Sequence, residues 1–324
     1  MKYISIITPC FNEEANIEIL YQRVKSVFET WEEYSYEHIF IDNCSTDNSP
    51  ACLKQLAAVD PNVKVIFNSR NFGWIRSPYY GLLQATGDAA IMMSCDLQDP
   101  PELIPDFIKK WLEGYQIVIG IKEQSSESSI LFLGRKLYYK MVSRLADIPL
   151  FENFTGFGLY DKNILNLLKT QDDPYPYFRG LIAEIGFEVA TIPFTQPRRQ
   201  KGISSSNFYN LYDVAMLGIT NHSKVPLRLA TMCGFVFSGI SLLVGIGYLI
   251  AKLIFWNYFS MGMAPVVVGM FFFASVQLVF IGILGEYIGS IHTKVLKRPL
   301  VIEKERINFD SPSPNHSRNS TLPQ

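Results

Sequence analysis

Tyr3-Ile4-Ser5-Ile6-Ile7-Thr8-Pro9-Cys10-Phe11-Asn12-Glu13-Glu14 is a short β-branched run that breaks at a proline and ends on two carboxylates. The run is too short for a helix and reads as a buried strand, and the helical spacing over residues 13–31 completes a first βα unit. Working outward, residues 38–41, 63–67, 89–93 and 116–119 read as further strands. Helical stretches separate them at residues 47–59, 75–86 and 101–113, with Asp47 and the Pro100-Pro101 pair as start signals. This alternation predicts an α/β fold, a mostly parallel sheet with helices on both faces. Ligands of such sheets bind at the C-terminal ends of the strands.

At roughly 150 residues per domain, 324 residues correspond to about two folding units. Lys and Arg number 29 against 30 Asp and Glu, with no run of like charge to neutralise a row of phosphates, so nucleic acid is set aside as a partner. Charged residues make up 18%, below the usual ~25%. The deficit is local, because between Leu229 and Gly285 the only charged side chain is Lys252. Residues 229–251 form an uncharged stretch of 23, about 34 Å as a helix, and residues 265–285 add 21 more, against a hydrocarbon core of ~30 Å. Their connector carries Lys252 with Trp256 and Tyr258, whereas Lys224, Arg228, Lys294, Lys297 and Arg298 flank the outer ends. That bias puts both ends in the cytoplasm, on the inner face of the plasma membrane, as a multi-pass hairpin. Two passes without a central ionisable residue do not make a transporter. The pairs Gly234/Ser238 and Gly285/Gly289 would permit close helix packing, including between subunits of a homo-oligomer.

Five scattered cysteines without a C-x-x-C pair fit a reducing compartment, and the first apolar stretch is too short for a secretory signal. Residues 130–147 read as an amphipathic helix carrying Arg135, Lys136, Lys140 and Arg144; a core-packed helix and one lying on an anionic membrane surface both fit. The expected division is a cytoplasmic α/β unit at residues 1–205, a juxtamembrane amphipathic helix at 206–228, two transmembrane helices within 229–285, a cytoplasmic segment at 286–308 and a disordered Ser/Pro/Asn-rich tail at 309–324.

Chemistry concentrates at three strand ends. The first carries Glu13 and Glu14, with Asn12 as a candidate helix cap; the second reads Asp42-Asn43-Cys44-Ser45-Thr46-Asp47, with Asp47 as a candidate cap. Two neighbouring strands thus deliver acids to one rim. The fourth ends in Ser94-Cys95-Asp96-Leu97-Gln98-Asp99-Pro100-Pro101-Glu102. Hard cations such as Mg2+ or Mn2+ are held by one or two carboxylates plus substrate phosphates, which Asp96 with Gln98 fits; capping of the following helix accounts for Asp99. Neither a G-x-G-x-x-G nor a P-loop pattern is present, which disfavours dinucleotide oxidoreductases and P-loop enzymes.

T-P-C-F-N-E (residues 8–13), D-N-C-S-T-D (42–47), S-R-N-F-G (69–73) and C-D-L-Q-D-P-P-E (95–102) together resemble the inverting GT-A glycosyltransferases of family 2. Within that family the chain looks like the polyprenyl-phosphate glycosyltransferases, the dolichol-phosphate mannose synthases and bactoprenol glucosyltransferases. The likeness continues through Thr155-Gly156-Phe157-Gly158-Leu159, Arg199-x-x-Gly202-x-Ser204 and the paired apolar helices. It implies that Pro9, Glu13, Asp42, Arg70 and Ser94 contact a nucleotide-sugar, that Asp96 and Gln98 hold the divalent cation on its diphosphate, and that Arg199 reaches the diphosphate. Lys122 and Arg135 become candidates for the acceptor phosphate. The chain departs from the family pattern where relatives carry D-A-D in place of Ser94-Cys95-Asp96, G-D-F-R-L in place of Thr155-Gly156-Phe157-Gly158-Leu159, and a lysine after Ser204.

The implied reaction is a single inverting displacement that moves a hexose, glucose from UDP-glucose by preference, onto a polyprenyl phosphate at the membrane. A phosphate monoester is already anionic near neutral pH and needs no general base. The alternative from another class is a membrane scaffold that keeps a nucleotide-sugar pocket without transfer, for which Ser94 and Gly156 stand.

Overall fold

The computed structural model describes residues 1–31, 33–124, 151–197, 213, 216–221, 223–255 and 263–309. The helix read at residues 130–147, with Arg135, the loop bearing Arg199 and the tail beyond Phe309 lie outside the described residues. The anticipated alternation is present as β1 (Lys2–Cys10), α1 (Glu14–Glu29), β2 (Tyr34–Asp42), α2 (Ser49–Val59), β3 (Val63–Asn68), α3 (Gly73–Leu83), β4 (Ala89–Met92), α4 (Ile104–Leu112) and β5 (Ile117–Gln124). After these come β6 (Phe154–Asp161), α5 (Lys162–Thr170), α6 (Phe178–Glu184), β7 (Val189–Thr195), α7 (Val225–Ile254), α8 (Met263–Val295) and β8 (Glu303–Ile307).

The eight strands form one sheet in the order β7-β5-β6-β4-β1-β2-β3-β8, and four of its seven pairings are parallel. β1 lies inside the sheet with Ile4 to Thr8 buried without alternation, as a strand covered on both faces requires. Side chains two apart share a face, so Ile4, Ile6 and Phe40 pack with Leu20, Val24, Leu53 and Phe107 of α1, α2 and α4. Ile7, Ile39 and Ile41 pack instead with Tyr79, Leu82, Ile164 and Leu181 of α3, α5 and α6. Phe157 of β6 meets Phe107 and Phe194 edge to face at 4.8 and 5.5 Å, contacts worth about 0.5–1.5 kcal/mol each beyond burial.

β4 and β5, consecutive in sequence, are not neighbours, because β6 inserts antiparallel between them with Ala90 opposite Tyr160 and Ile119 opposite Gly158. No side chain fits at Gly158, where a Cβ would stand 2.5 Å from the carbonyl oxygen of Val118. β8 was not anticipated. It comes from beyond the apolar helices and adds antiparallel to β3, with the Ser69 N–H donating to the Ile302 carbonyl at 2.9 Å. Lys54 pairs with Glu305 at 2.6 Å, the Tyr80 hydroxyl donates to Glu303 at 2.8 Å, and Val301 is fully buried.

Within α7 and α8, residues 225–247 and 268–295 are long and apolar enough to cross a membrane. Phe235, Leu243 and Phe271 are 74%, 72% and 67% exposed, which water disfavours at about 25 cal/mol per Å2 of apolar surface. The Tyr287 hydroxyl donates to the Ser223 carbonyl at 2.6 Å and ties α8 to the segment two residues before α7.

Candidate active site

Three loops leave the C-terminal ends of β1, β2 and β4, and each turns on a non-glycine residue in the left-handed region: Asn12 at φ 56°, Cys44 at φ 62° and Leu97 at φ 62°. Such conformers cost about 1–3 kcal/mol each and persist only where neighbours hold them. The first two loops hold each other. The Asn12 side-chain oxygen accepts from the Thr46 N–H at 2.8 Å, so Asn12 does not cap α1; its N–H donates to Ser45 Oγ at 2.9 Å. The Glu14 N–H donates to Asp47 at 3.2 Å, and the Glu14 carboxylate accepts from the Asn48 N–H at 2.8 Å. Asp47 also accepts from the Ser49 N–H at 3.0 Å at the start of α2, whose N-cap residue is Asn48.

This clamp sets two buried carboxylates. Glu13 accepts from the Asn16 side chain at 2.5 Å, and its own N–H donates to Ser49 Oγ at 3.0 Å. Asp42, opposite Cys10 in the β1/β2 register, is 2% exposed. One of its oxygens accepts from the Ser45 N–H at 3.1 Å; the other, Oδ1, is buried without a hydrogen-bond partner among the described residues. Burial raises the Asp42 pKa, and the Ser45 bonds work against that rise. An open acceptor at this depth has room for one more hydroxyl or N–H donor.

The loop after β4 is organised by a different acid from the one its sequence emphasises. Asp96 is half-buried, and its carboxylate accepts the Gln98 N–H at 3.2 Å. Asp99 is buried and accepts both the Ser94 N–H at 2.8 Å and the Ser94 hydroxyl at 2.6 Å. The short 3-10 turn Pro101–Leu103 has no side-chain cap, so Asp99 closes its own loop instead of capping a helix. Burial raises the Asp99 pKa; the Ser94 bonds oppose this, Asp96 adds to it and the Lys122 ammonium lowers it. Ser94 therefore fixes a buried carboxylate.

A cavity of about 160 Å3 opens beside this loop. Pro9, Ser94 and Asp99 supply one side, Trp74, Tyr79, Met92 and Phe178 an apolar wall, and Arg179 a cation. Gly156 lines it at φ 107°, where a Cβ would stand 3.0 Å from Met92 Cε. The structure thus brings Pro9, Glu13, Asp42, Ser94, Asp96 and Gln98 to adjoining strand ends and sets Lys122 within electrostatic reach of Asp99. Arg70 stands at the exposed end of β3, its guanidinium 4.1 Å from the Phe72 ring centroid. Sequence reasoning missed Asp99, Trp74 and Arg179 as site residues. Only Asp99 stood inside a motif.

A family model, glycosyl transferase family 2, matches residues 5–168. The chain belongs to this family. It is 33% identical over 303 residues to the SfII prophage-derived bactoprenol glucosyl transferase of Shigella flexneri, covering 93% of this chain and 97% of that protein. It is 32% identical over 308 residues to the uncharacterized glycosyltransferase YkcC of Bacillus subtilis, covering 95% of each, and 32% identical over 302 residues to the prophage bactoprenol glucosyl transferase homolog of Escherichia coli, covering 93% and 98%. A solved structure of mannosyl-3-phosphoglycerate synthase from Rubrobacter xylanophilus is 15% identical with a TM-score of 0.46, covering 71% of this chain and 75% of that one, too remote to argue from. The protein is a glycosyltransferase with the GT-A architecture.

Among the described residues no three His, Cys, Asp or Glu side chains converge tightly enough to cage a metal. Asp96 with Gln98 nonetheless fits a hard cation that takes its remaining ligands from substrate phosphates and water.

Proposed function

We propose that this glycosyltransferase moves glucose from a nucleotide-sugar, UDP-glucose by preference, to a polyprenyl phosphate at the cytoplasmic face of the plasma membrane. The observation that carries the reading is the joining, in one chain, of acid-bearing loops at the sheet's ligand edge to a hairpin of exposed apolar helices. Bactoprenol glucosyl transferases that match nearly the whole chain support the lipid acceptor and the sugar.

In this reading Asp42 takes a donor hydroxyl or N–H on its open oxygen, Pro9, Glu13 and Arg70 complete the nucleoside contacts, and the cavity beside Ser94 receives the sugar. Asp96 and Gln98 would hold Mg2+ or Mn2+, which when bound would supply charge neutralisation for the nucleoside diphosphate leaving group. Arg199 adds a second positive charge to that leaving group. Lys122 and Arg135 orient the acceptor phosphate, whose own oxygen attacks the anomeric carbon and inverts it. Asp99, fixed by Ser94, keeps Lys122 near the cavity. Residues 1–205 form the catalytic unit, residues 206–228 lie along the membrane, and the hairpin within 229–285 keeps both ends cytoplasmic, in contact with membrane lipid. Gly234, Gly285 and Gly289 have no neighbour within 4 Å of an added Cβ, which leaves room for a second copy in a homo-oligomer.

The test incubates the purified protein with radiolabelled UDP-glucose, undecaprenyl phosphate and Mg2+ or Mn2+. Label passing into the organic phase supports the transferase; donor binding without transfer supports the scaffold alternative. Full turnover after exhaustive chelation, or in Asp96→Ala, removes the metal from the account.

A further inference from the structure

Arg76 on α3 stands between the membrane exit and the cavity. Its neighbours Trp74, Ile75 and Pro78 line the cavity, while its own guanidinium donates to the Pro299 carbonyl, in the segment that follows α8. Arg70 and Arg76 both lie against Phe72, at 4.1 and 5.2 Å from the ring centroid. Arg298, adjacent to Pro299 and three residues past the end of α8, is exposed. Burial and the Arg70 and Arg298 charges lower the Arg76 pKa, opposed by Tyr175.

Three guanidiniums gathered this way repel one another unless an anion joins them. Three carboxylates of the surrounding segments are committed elsewhere: Asp173 faces Lys294 at 3.7 Å, Asp172 faces Lys297 at 3.9 Å, and Glu303 faces Arg306 at 2.5 Å. Among the described residues neither Arg70, Arg76 nor Arg298 forms an ion pair, and Arg76 Nε is buried without an acceptor. We infer that Arg76 and Arg298 capture the phosphate monoester of the lipid acceptor at the membrane surface and pass it toward Lys122. This rests on the polyprenyl-phosphate reading above. It adds a capture site distinct from the reacting position, so it governs acceptor affinity and not the chemical step.

The experiment uses the full chain in phosphatidylcholine nanodiscs, with undecaprenyl phosphate varied at saturating UDP-glucose and UDP-glucose varied at saturating acceptor. Charge-assisted hydrogen bonds of this kind make the expected rise in acceptor KM about tenfold or more for Arg76→Gln and about threefold for the exposed Arg298→Gln, with kcat and donor KM unchanged. Arg298→Gln removes no hydrogen bond given by the structure, so it decides the matter even if Arg76→Gln does not fold. A wild type that transfers normally while the folded variants keep its acceptor KM overturns this inference alone. A wild type that moves no glucose to prenyl phosphate overturns the function on which it rests. Phosphatidic acid in the discs separates the two lipid sources. No effect on the wild-type acceptor KM supports the assignment, whereas competition lost in the variants makes the cluster a general lipid-phosphate site and overturns it.

Discussion

Replacing Ser94 by alanine removes the 2.6 Å hydroxyl donor to Asp99 and leaves the backbone N–H at 2.8 Å as the remaining Ser94 bond. A hydrogen bond to a charged group contributes about 1.5–3 kcal/mol, against about 0.5–1.5 kcal/mol when both partners are neutral. The loss should therefore depend on the protonation of Asp99. Because burial already raises the Asp99 pKa, its folded form binds a proton more readily than the unfolded chain does, and stability is lost as pH rises from the ordinary carboxylate value through the raised one. Ser94→Ala raises that pKa further. Above it the variant lacks the charge-assisted bond, and below it only the neutral one. At about 2–4 °C per kcal/mol for a domain of this size, the melting temperature should drop by about 3–12 °C above the raised pKa and by roughly half as much below it. Thermal melts of wild type and variant from pH 4 to 8 measure this, and a difference that does not change with pH would refute the Ser94–Asp99 argument.

Asp42→Ala removes the open acceptor and should raise donor KM about 10- to 150-fold with acceptor KM unchanged; steady-state kinetics decide it, and an unaltered donor KM withdraws Asp42 from the donor site. His38 is fully buried, and burial lowers its pKa to about 3, so stability holds above pH 6.5 and falls as pH drops from 6.5 toward 3, by up to about 5 kcal/mol. The non-titrating His38→Gln should lose that acid limb, and superimposable melting curves would show that His38 is not its source. Gly158→Ala forces a Cβ to 2.5 Å from the Val118 carbonyl and should cost more than about 3 kcal/mol, read as loss of folded protein on size exclusion.

The half of the fold that local pattern dictates was legible in the sequence. Ile4, Ile6 and Ile7 announce β1 because buried parallel strands are continuous apolar runs, and α1 to α4 follow from their spacing. What escaped depends on distant residues. β6 falls between β4 and β5 through pairings such as Ile91 with Leu159, which periodicity does not encode. β8 reads Glu303-Lys304-Glu305-Arg306-Ile307, with a single apolar residue, and is a strand because β3 offers an unpaired edge and Lys54 and Tyr80 offer partners. At the site, acids at strand ends were visible because chemistry limits what such clusters do. The choice of Asp99 over a cap was not, since it depends on how the loop folds back upon Ser94.

The last strand among the described residues completes a sheet whose first strand was made some 300 residues earlier, with both long apolar helices lying between them in the sequence. The ribosome therefore exposes an unfinished sheet edge during all the time it takes to synthesise the hairpin. The sheet of the transferase domain therefore reaches its final form only after both long apolar helices have been made.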